Sequence, residues 1–223
     1  MAAQNDDKKI VTLIKEWQAE NGDKPFVSFE YYPPRTEEGV KNLYSRMDRM
    51  AKQNPLFADI TWGAGGSTSE LTVDIALEMQ KKGLVPNMHL TCTNMEATKV
   101  SEALASCKES GIKNIVALRG DPPKGQDEWK ATEGGFTCAL DLVKHMRKEH
   151  GDYFCISVAG YPEGHPNVIK PVEGGADGLD KLTASEAGRL VKKADGTYLV
   201  CSDADYAKEI AYLKEKVDAG ADL

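Results

Sequence analysis

The sequence predicts an α/β fold in which parallel strands alternate with helices. Five short runs rich in apolar and β-favouring residues begin near residues 26, 57, 87, 114 and 153. Segments with helical apolar spacing lie between them, and a repeat of roughly thirty residues suits right-handed crossovers between parallel strands. Two architectures fit this pattern: a doubly wound open sheet and a (β/α)8 barrel.

The predicted elements follow one another in a regular order. A helix at 8–20 precedes the first strand at 26–32, and Thr36 opens the next helix. The first turn of that helix holds Glu37 and Glu38, which complement the helix dipole. The remaining strands are predicted at 57–62, 87–92, 114–119 and 153–159.

A glycine-rich stretch at 63–66 follows the second strand, and Ser67 or Thr68 is expected to cap the helix after it. The stretch lacks the lysine of a Walker loop, so a phosphate-binding loop and a flexible turn both remain open. After the first strand, where a dinucleotide-binding sheet would show Gly-x-Gly-x-x-Gly, the chain has Pro33-Pro34-Arg35.

Polar residues mark the ends of successive strands. Glu30, Thr61, His89, Arg119 and Asp121 all lie at or just past the C-terminal end of a predicted strand. In a barrel this rim forms the active site. The recurrence of one kind of position in four consecutive units therefore favours a shared pocket and the (β/α)8 barrel, also called the TIM barrel.

Glu30 is the first candidate for chemistry. It lies among Phe29, Tyr31 and Tyr32 in a run that has the character of a buried strand, where an ionised carboxylate would lose its hydration. We therefore expect a raised pKa, which would suit a proton donor near neutral pH. An ion pair with an arginine on a neighbouring strand is the other interpretation.

Composition argues against several classes of partner. The 223 residues carry a formal net charge of −7 with no block of Lys and Arg, which argues against nucleic acid or an anionic membrane. The five scattered cysteines fit reduced thiols in a cytoplasmic protein and argue against structural zinc. The N-terminus lacks the apolar core of a secretory signal, and no apolar run is long enough to span a bilayer.

The stretch 160–204 interrupts the repeat. Its first residues are expected to form an active-site loop, and about 168–204 an inserted surface excursion. A helix is predicted from Asp205, and 221–223 should begin a sixth strand. The predicted organisation is an N-terminal extension and helix at 1–24, followed at 25–223 by five βα units of a barrel and the start of the sixth.

Seven motifs, in family order, identify a resemblance. They are FEYYPPR (29–35), DITW (59–62), HLTC (89–92), NIVALRGDP (114–122), GGF (134–136), VAGYPEGHP (158–166) and YLKEKVDAGAD (212–222). Through them the chain resembles the catalytic, flavin-binding barrel of methylenetetrahydrofolate reductase. The match covers nearly the whole chain except 1–24 and 168–204.

The resemblance implies an FAD-dependent reductase of one-carbon and methionine metabolism. In that family, FAD takes a hydride from NADH or NADPH and passes it to 5,10-methylenetetrahydrofolate, giving 5-methyltetrahydrofolate. Ring opening of the folate requires protonation of a nitrogen, and Glu30 matches the family's general acid. Asp121 matches an aspartate near the flavin and the folate. The resemblance covers enzymes that use either nicotinamide cofactor.

The resemblance also implies cofactor-binding positions. On the residues alone, Arg119 is either a phosphate ligand or a core ion pair, His89 is more typical of a core histidine, and Lys216 of a solvated charge on an exposed helix end. The implied positions are Thr61, Trp62, His89, Arg119, Gly120, Asp121, Ala139, Tyr161, His165 and Lys216. No metal site is expected.

Several features depart from the family pattern. Cys138 stands where relatives often have tyrosine, and Glu209 falls near a family aspartate but is not carried over because the insertion precedes it. A complete barrel has eight units, and eukaryotic members add a regulatory domain that binds S-adenosylmethionine. We therefore expect a fragment of a longer protein, in whose full-length form a homo-oligomer is possible. The alternative is a non-catalytic interaction remnant with unpaired strand edges.

Overall fold

The computed structural model describes residues 8–62, 69–93, 95–121 and 131–223. Several predicted features lie outside these residues: the N-terminal segment 1–7, the glycine-rich turn 63–66, the cap at Ser67 or Thr68, and the prolines at 122 and 123. The chain divides into two compact units. One extends to Ala159 and includes Ala219–Leu223, and the other is Gly160–Asp218.

The first unit is built around a parallel sheet whose five strands lie side by side in chain order. The strands are β1 (Ser28–Tyr31), β2 (Phe57–Ile60), β3 (Pro86–Thr91), β4 (Asn114–Leu118) and β5 (Cys155–Val158). A doubly wound sheet reverses its strand order at a switch point, whereas a barrel adds each strand on the same side. The predicted α/β class is therefore confirmed, and the strand order agrees with a partial (β/α)8 barrel.

The described residues of this unit form five α-helices and a short 3-10 helix at Ala51–Gln53. The α-helices are α1 (Ile10–Asn21), α2 (Glu37–Met50), α3 (Ser69–Lys81), α4 (Ala97–Glu109) and α5 (Ala139–His150). Thr36 caps α2 as predicted, because its side-chain oxygen accepts a hydrogen bond of 3.1 Å from the backbone N–H of Gly39. The helices begin and end within a few residues of the predicted positions.

The two faces of the sheet differ in polarity because successive side chains of a strand point to opposite sides. One face is apolar and packs against the helices in a single core that includes Ile60, Met88, Leu90, Ile115 and Ile156. The opposite face, called here the inner face, is largely polar. Strand pairing aligns its residues, placing Glu30 beside Asp59, Asp59 beside Asn87, and Asn87 beside Asn114.

Helix α1 packs against the N-terminal ends of the strands. Its residues Ile10 and Leu13 form a small apolar cluster with Val85 and Cys155. Asn114 anchors the helix, because its Oδ1 accepts a hydrogen bond of 2.8 Å from the backbone N–H of Ile10. The Nδ2 of Asn114 donates to the carbonyl oxygens of Lys8 and Pro86 at 3.4 and 3.3 Å.

The last residues of the chain pair with β5, as predicted for the start of a sixth strand. The backbone N–H of Asp222 donates to the carbonyl oxygen of Ile156 at 2.7 Å, and that of Val158 donates to Leu223 at 2.9 Å. Arg147 of α5 holds this segment by donating to the Gly220 carbonyl and, at 2.7 Å, to Asp222 Oδ2.

The second unit contains a small antiparallel sheet that the sequence did not predict. Its strands are β6 (Ile169–Pro171), β7 (Val191–Lys192) and β8 (Tyr198–Cys201), with β8 in the centre. Two α-helices, α6 (Ala184–Gly188) and α7 (Asp203–Asp218), and two short 3-10 helices, Pro166–Val168 and Gly175–Lys181, complete the unit. The stretch 168–204 therefore has its own hydrogen-bonded structure, built from strands too short to show a periodic pattern.

Candidate active site

Three polar side chains from β2 and β3 form a hydrogen-bonded cluster on the inner face. The Nδ2 of Asn87 donates to Asp59 Oδ1 at 2.8 Å, and the Nε2 of His89 lies 3.1 Å from the same oxygen. Asn87 and His89 are two residues apart on one strand and therefore share a face. The side chains of Asp59 and His89 are each 17% exposed, so the cluster is sheltered but accessible.

Glu30 lies on the strand next to this cluster, directly opposite Asp59 in the pairing of β1 and β2. The predicted burial of its carboxyl group is wrong, because Glu30 is exposed. The neighbouring Tyr31 is only 3% exposed and belongs to the core, whereas alternation turns Glu30 to the other face. The aromatic neighbours in sequence therefore do not surround the carboxylate, and β1 lies at an edge of the five-stranded sheet.

Three predicted residues, Arg119 to Asp121, directly follow the C-terminal end of β4. Arg119 is half-buried, and its carbonyl oxygen accepts a hydrogen bond of 2.7 Å from the Thr93 hydroxyl. Gly120 has a φ of +90°, and a Cβ there would lie 2.5 Å from Thr93 Oγ1. Only glycine permits this close approach. Asp121 is exposed at the rim.

Thr61 and Trp62 follow β2, and their surroundings differ. Thr61 is half-buried at the strand end, where its backbone N–H donates to the Tyr31 carbonyl at 3.0 Å. Trp62 is 7% exposed and packs in the core. Within the described part of the chain, its indole N–H has no hydrogen-bond partner. A buried donor of this kind is costly unless a partner is supplied.

Ala139 begins α5 and is half-buried. The turn before it is held by Asp141, whose carboxylate accepts hydrogen bonds from the side chain and backbone of Thr137. These bonds, the side-chain one above all, hold the pKa of Asp141 below its usual value. Cys138 precedes the helix and makes no capping hydrogen bond with its side chain.

Three predicted flavin contacts belong to the second unit. Tyr161 is 39% exposed and packs edge-on against His165, with 4.7 Å between ring centroids. His165 Nδ1 accepts a hydrogen bond of 3.1 Å from the backbone N–H of Asn167. Lys216 is not a solvated charge on an exposed helix end, since it is only 4% exposed and its Nζ lies 4.9 Å from the Tyr212 ring centroid.

Asp59 and Asn87 are two inner-face residues for which no role was predicted from the sequence. The motif at 59–62 contains Asp59, and period-two alternation would have placed it on the same face as Thr61. The contact between Asp59 and His89 could not be predicted from the sequence, because it depends on the register of β2 and β3.

The second unit also contains a cavity of about 260 Å³ whose lining includes Lys170, Val172, Lys181, Ser202 and Asp205. None of the predicted site residues lines it.

Among the residues that the structure describes, no group of three or more His, Cys, Asp and Glu is arranged to hold a metal ion. No described helix combines the length and apolarity needed to cross a membrane.

Comparison with known proteins identifies the family. A family model described as methylenetetrahydrofolate reductase matches residues 15–223. A rice protein (Oryza sativa subsp. japonica) named probable methylenetetrahydrofolate reductase (NADH) is 50% identical over 216 residues, or 96% of this chain and 32% of its own length. A maize protein (Zea mays) named methylenetetrahydrofolate reductase (NADH) 1 is 52% identical over the same shares.

A more distant relative agrees. Methylenetetrahydrofolate reductase 2 of Schizosaccharomyces pombe is 41% identical over 217 residues, which are 96% of this chain and 29% of that protein. The chain thus spans about a third of the length of the curated relatives it matches. Family model and identity agree: the chain belongs to the methylenetetrahydrofolate reductase family.

Proposed function

We propose that the chain is the part of a methylenetetrahydrofolate reductase that binds FAD and protonates the folate. The whole reaction would reduce 5,10-methylenetetrahydrofolate to 5-methyltetrahydrofolate with electrons from NADH or NADPH. One observation carries the proposal: motif residues of four consecutive βα units lie in or directly after neighbouring strands of one parallel sheet, Glu30 in β1, Thr61 after β2, His89 in β3 and Arg119 after β4.

The chemistry of these side chains fits a flavin dinucleotide. The guanidinium of Arg119 and the hydroxyl of Thr61 are donors for phosphate and carbonyl oxygens. The carboxylate of Asp121 accepts hydrogen bonds and suits the N–H groups of a flavin or pterin ring. When bound, FAD would supply hydride transfer from the nicotinamide to the folate. Gly120, Ala139, Tyr161, His165 and Lys216 are proposed as further contacts.

Glu30 would donate the proton that opens the folate ring. Its exposed position on the inner face leaves the carboxyl group accessible to a substrate. A folate lying over the sheet would displace water from the carboxyl group and receive its proton. In this proposal the substrate, rather than the flanking aromatic residues, creates the apolar environment of the acid.

The two plant proteins described above are named for NADH, so we propose NADH as the preferred electron donor. The test begins with the purified chain: FAD binding is measured by the change in flavin fluorescence, and anaerobic bleaching of the flavin band is followed with NADH and NADPH separately. We expect binding and faster bleaching by NADH. If circular dichroism shows that the chain is folded and it still binds no flavin, the result would instead favour the non-catalytic interaction remnant.

A further inference from the structure

The ring of His89 is held by one carboxylate from the neighbouring strand. His89 Nε2 lies 3.1 Å from Asp59 Oδ1, and the same oxygen accepts a hydrogen bond of 2.8 Å from Asn87 Nδ2. Asn87 is 5% exposed and thus a sheltered donor that fixes the orientation of the carboxyl group. The Asp59 oxygen that meets His89 is therefore held from two directions.

This contact calls for a hydrogen on Nε2 of His89. An ionised carboxylate can only accept hydrogen bonds, so the nitrogen that meets it must be the donor. In a neutral imidazole with hydrogen on Nε2, the other nitrogen, Nδ1, is an acceptor. Nδ1 makes no hydrogen bond to the part of the chain that the structure describes.

A purely structural tie between β2 and β3 explains the cluster less well. The two strands already pair through Ala58 with Pro86, Asp59 with Asn87, and Ile60 with Met88. A single hydrogen bond between partly exposed side chains adds only modestly to stability. The cluster lies on the polar inner face beside Glu30, where it adds nothing to the apolar core.

We propose that Asp59 is a positioning residue that fixes His89 as the Nε2–H tautomer, so that Nδ1 accepts a hydrogen bond from the ligand. Building on the proposed function, the ligand group that meets His89 is a hydroxyl or N–H group of the flavin cofactor and not one of its phosphate oxygens. A phosphate oxygen is an acceptor and would require hydrogen on Nδ1.

The tautomer can be measured without any cofactor. The chain has four histidines, so side-chain ¹⁵N NMR of labelled protein is tractable, and His89→Gln assigns the signal. We expect His89 of the wild-type chain near pH 7.5 to carry hydrogen on Nε2 alone. A wild-type signal showing hydrogen on Nδ1, or on both nitrogens, overturns the proposal, and this measurement does not depend on any variant folding.

The variant Asp59→Asn replaces the acceptor with a side chain that can also donate. We expect a several-fold rise in the Nδ1–H form of His89, and FAD binding weaker by about two- to tenfold, the effect of one net hydrogen bond. Asp48→Asn is the matched control, because Asp48 pairs with Lys82 at 2.6 Å and touches no histidine. Asp48→Asn should change neither the tautomer of His89 nor the affinity for FAD.

The outcomes separate this proposal from the proposed function. An unchanged tautomer in folded Asp59→Asn overturns the positioning role, even if wild-type FAD binding is normal. A shifted tautomer with unchanged FAD binding overturns the contact between His89 and the cofactor. If the wild-type chain binds no FAD, the proposed function fails for this chain, and the NMR result alone decides the role of Asp59.

Discussion

Glu30 and Asp59 lie directly opposite each other in the parallel pairing of β1 and β2, so two carboxyl groups share one face of the sheet. Their surroundings differ. Asp59 accepts hydrogen bonds from β3, whereas Glu30 is exposed and has no hydrogen bond to the described residues. The anchored carboxylate suits a fixed acceptor, and the unanchored one suits a group that gains and loses a proton.

The first prediction concerns proton donation by Glu30. Glu30→Gln should reduce folate turnover by about 10²- to 10⁴-fold, the usual contribution of a general acid. Reduction of the flavin by NADH should change by less than about twofold, because that half-reaction needs no proton on the folate. Stopped-flow measurement of each half-reaction, on the chain and on any longer protein that contains it, provides the test.

The control is Glu38→Gln, which makes the same change on α2 at a side chain that is 74% exposed. It should leave both half-reactions unchanged. Equal loss of flavin reduction and folate reduction in Glu30→Gln would rule out the assigned role and indicate a general effect on the site.

The second prediction concerns the hydrogen bonds by which Arg147 holds the last residues of the chain, called here the clamp. Arg147→Ala removes the hydrogen bonds to Gly220, Gly151, Phe154 and Asp222 from a side chain that is 17% exposed. We expect a loss of about 2–4 kcal/mol in the free energy of unfolding, because hydrogen bonds to charged groups are stronger than neutral ones. Urea unfolding, monitored by circular dichroism, measures this loss of stability.

Arg49→Ala is the matched control for the clamp, since Arg49 bonds only within its own helix, to Ser45. Its effect should stay below about 0.5 kcal/mol, as is usual for a surface substitution. If the two variants lost the same stability, the contacts of Arg147 with the end of the chain would not contribute as proposed.

The third prediction concerns Gly120. Gly120→Ala combines a left-handed φ of +90° with a Cβ placed 2.5 Å from Thr93 Oγ1 and 3.0 Å from Thr91 Cβ. Gly151→Ala shares the positive φ, at +55°, but meets no atom within 4 Å. The alanine at 151 should cost about 1 kcal/mol and the alanine at 120 clearly more. Thermal unfolding of the two variants isolates the clash, and equal costs would contradict it.

The fourth prediction concerns pH. Burial, assisted by the positive charge of Lys108 and by His145, lowers the pKa of His150 below 6.5, against an opposing effect of Glu149. The unfolded chain therefore binds a proton at His150 at a higher pH than the folded chain does. Stability contributed by this difference is present above pH 6.5 and is lost as the pH falls from 6.5 towards the folded-state pKa.

Replacing the imidazole should remove this contribution. Denaturant unfolding between pH 7.5 and 5.5 should show a smaller loss of stability for His150→Gln than for the wild type. His165→Gln removes an imidazole from the second unit and serves as the comparison. A His150→Gln curve parallel to the wild-type curve would show that His150 does not cause the loss.

Much of the fold could be predicted because it depends on local sequence patterns. The helix cap at Thr36 and the five βα units follow from residue type and periodicity, and the polar strand ends indicate the rim. The exposure of Glu30 was not predicted, because aromatic residues on both sides of it conceal the alternation of β1. Strand faces become clear only when the neighbouring strands are aligned.

Other features could not be predicted from sequence. Strands β6 to β8 have two to four residues each, which is too short for any period to appear. The contact of Asp59 with His89 depends on register, and the clamp joins Arg147 to a residue 73 positions away. Such contacts are properties of tertiary packing rather than of local sequence.

The anchoring of α1 by Asn114 has a consequence for the order of folding. The hydrogen bond from the backbone N–H of Ile10 to Asn114 Oδ1 joins residues 104 positions apart, and Asn114 Nδ2 also donates to the carbonyl oxygen of Pro86 in β3. The docking site for α1 exists only after β3 and β4 have paired, so the first helix in the sequence is expected to join the unit late. The same dependence makes α1 a segment that can detach while the sheet stays intact, with amides that exchange hydrogen sooner than those of β3 and β4.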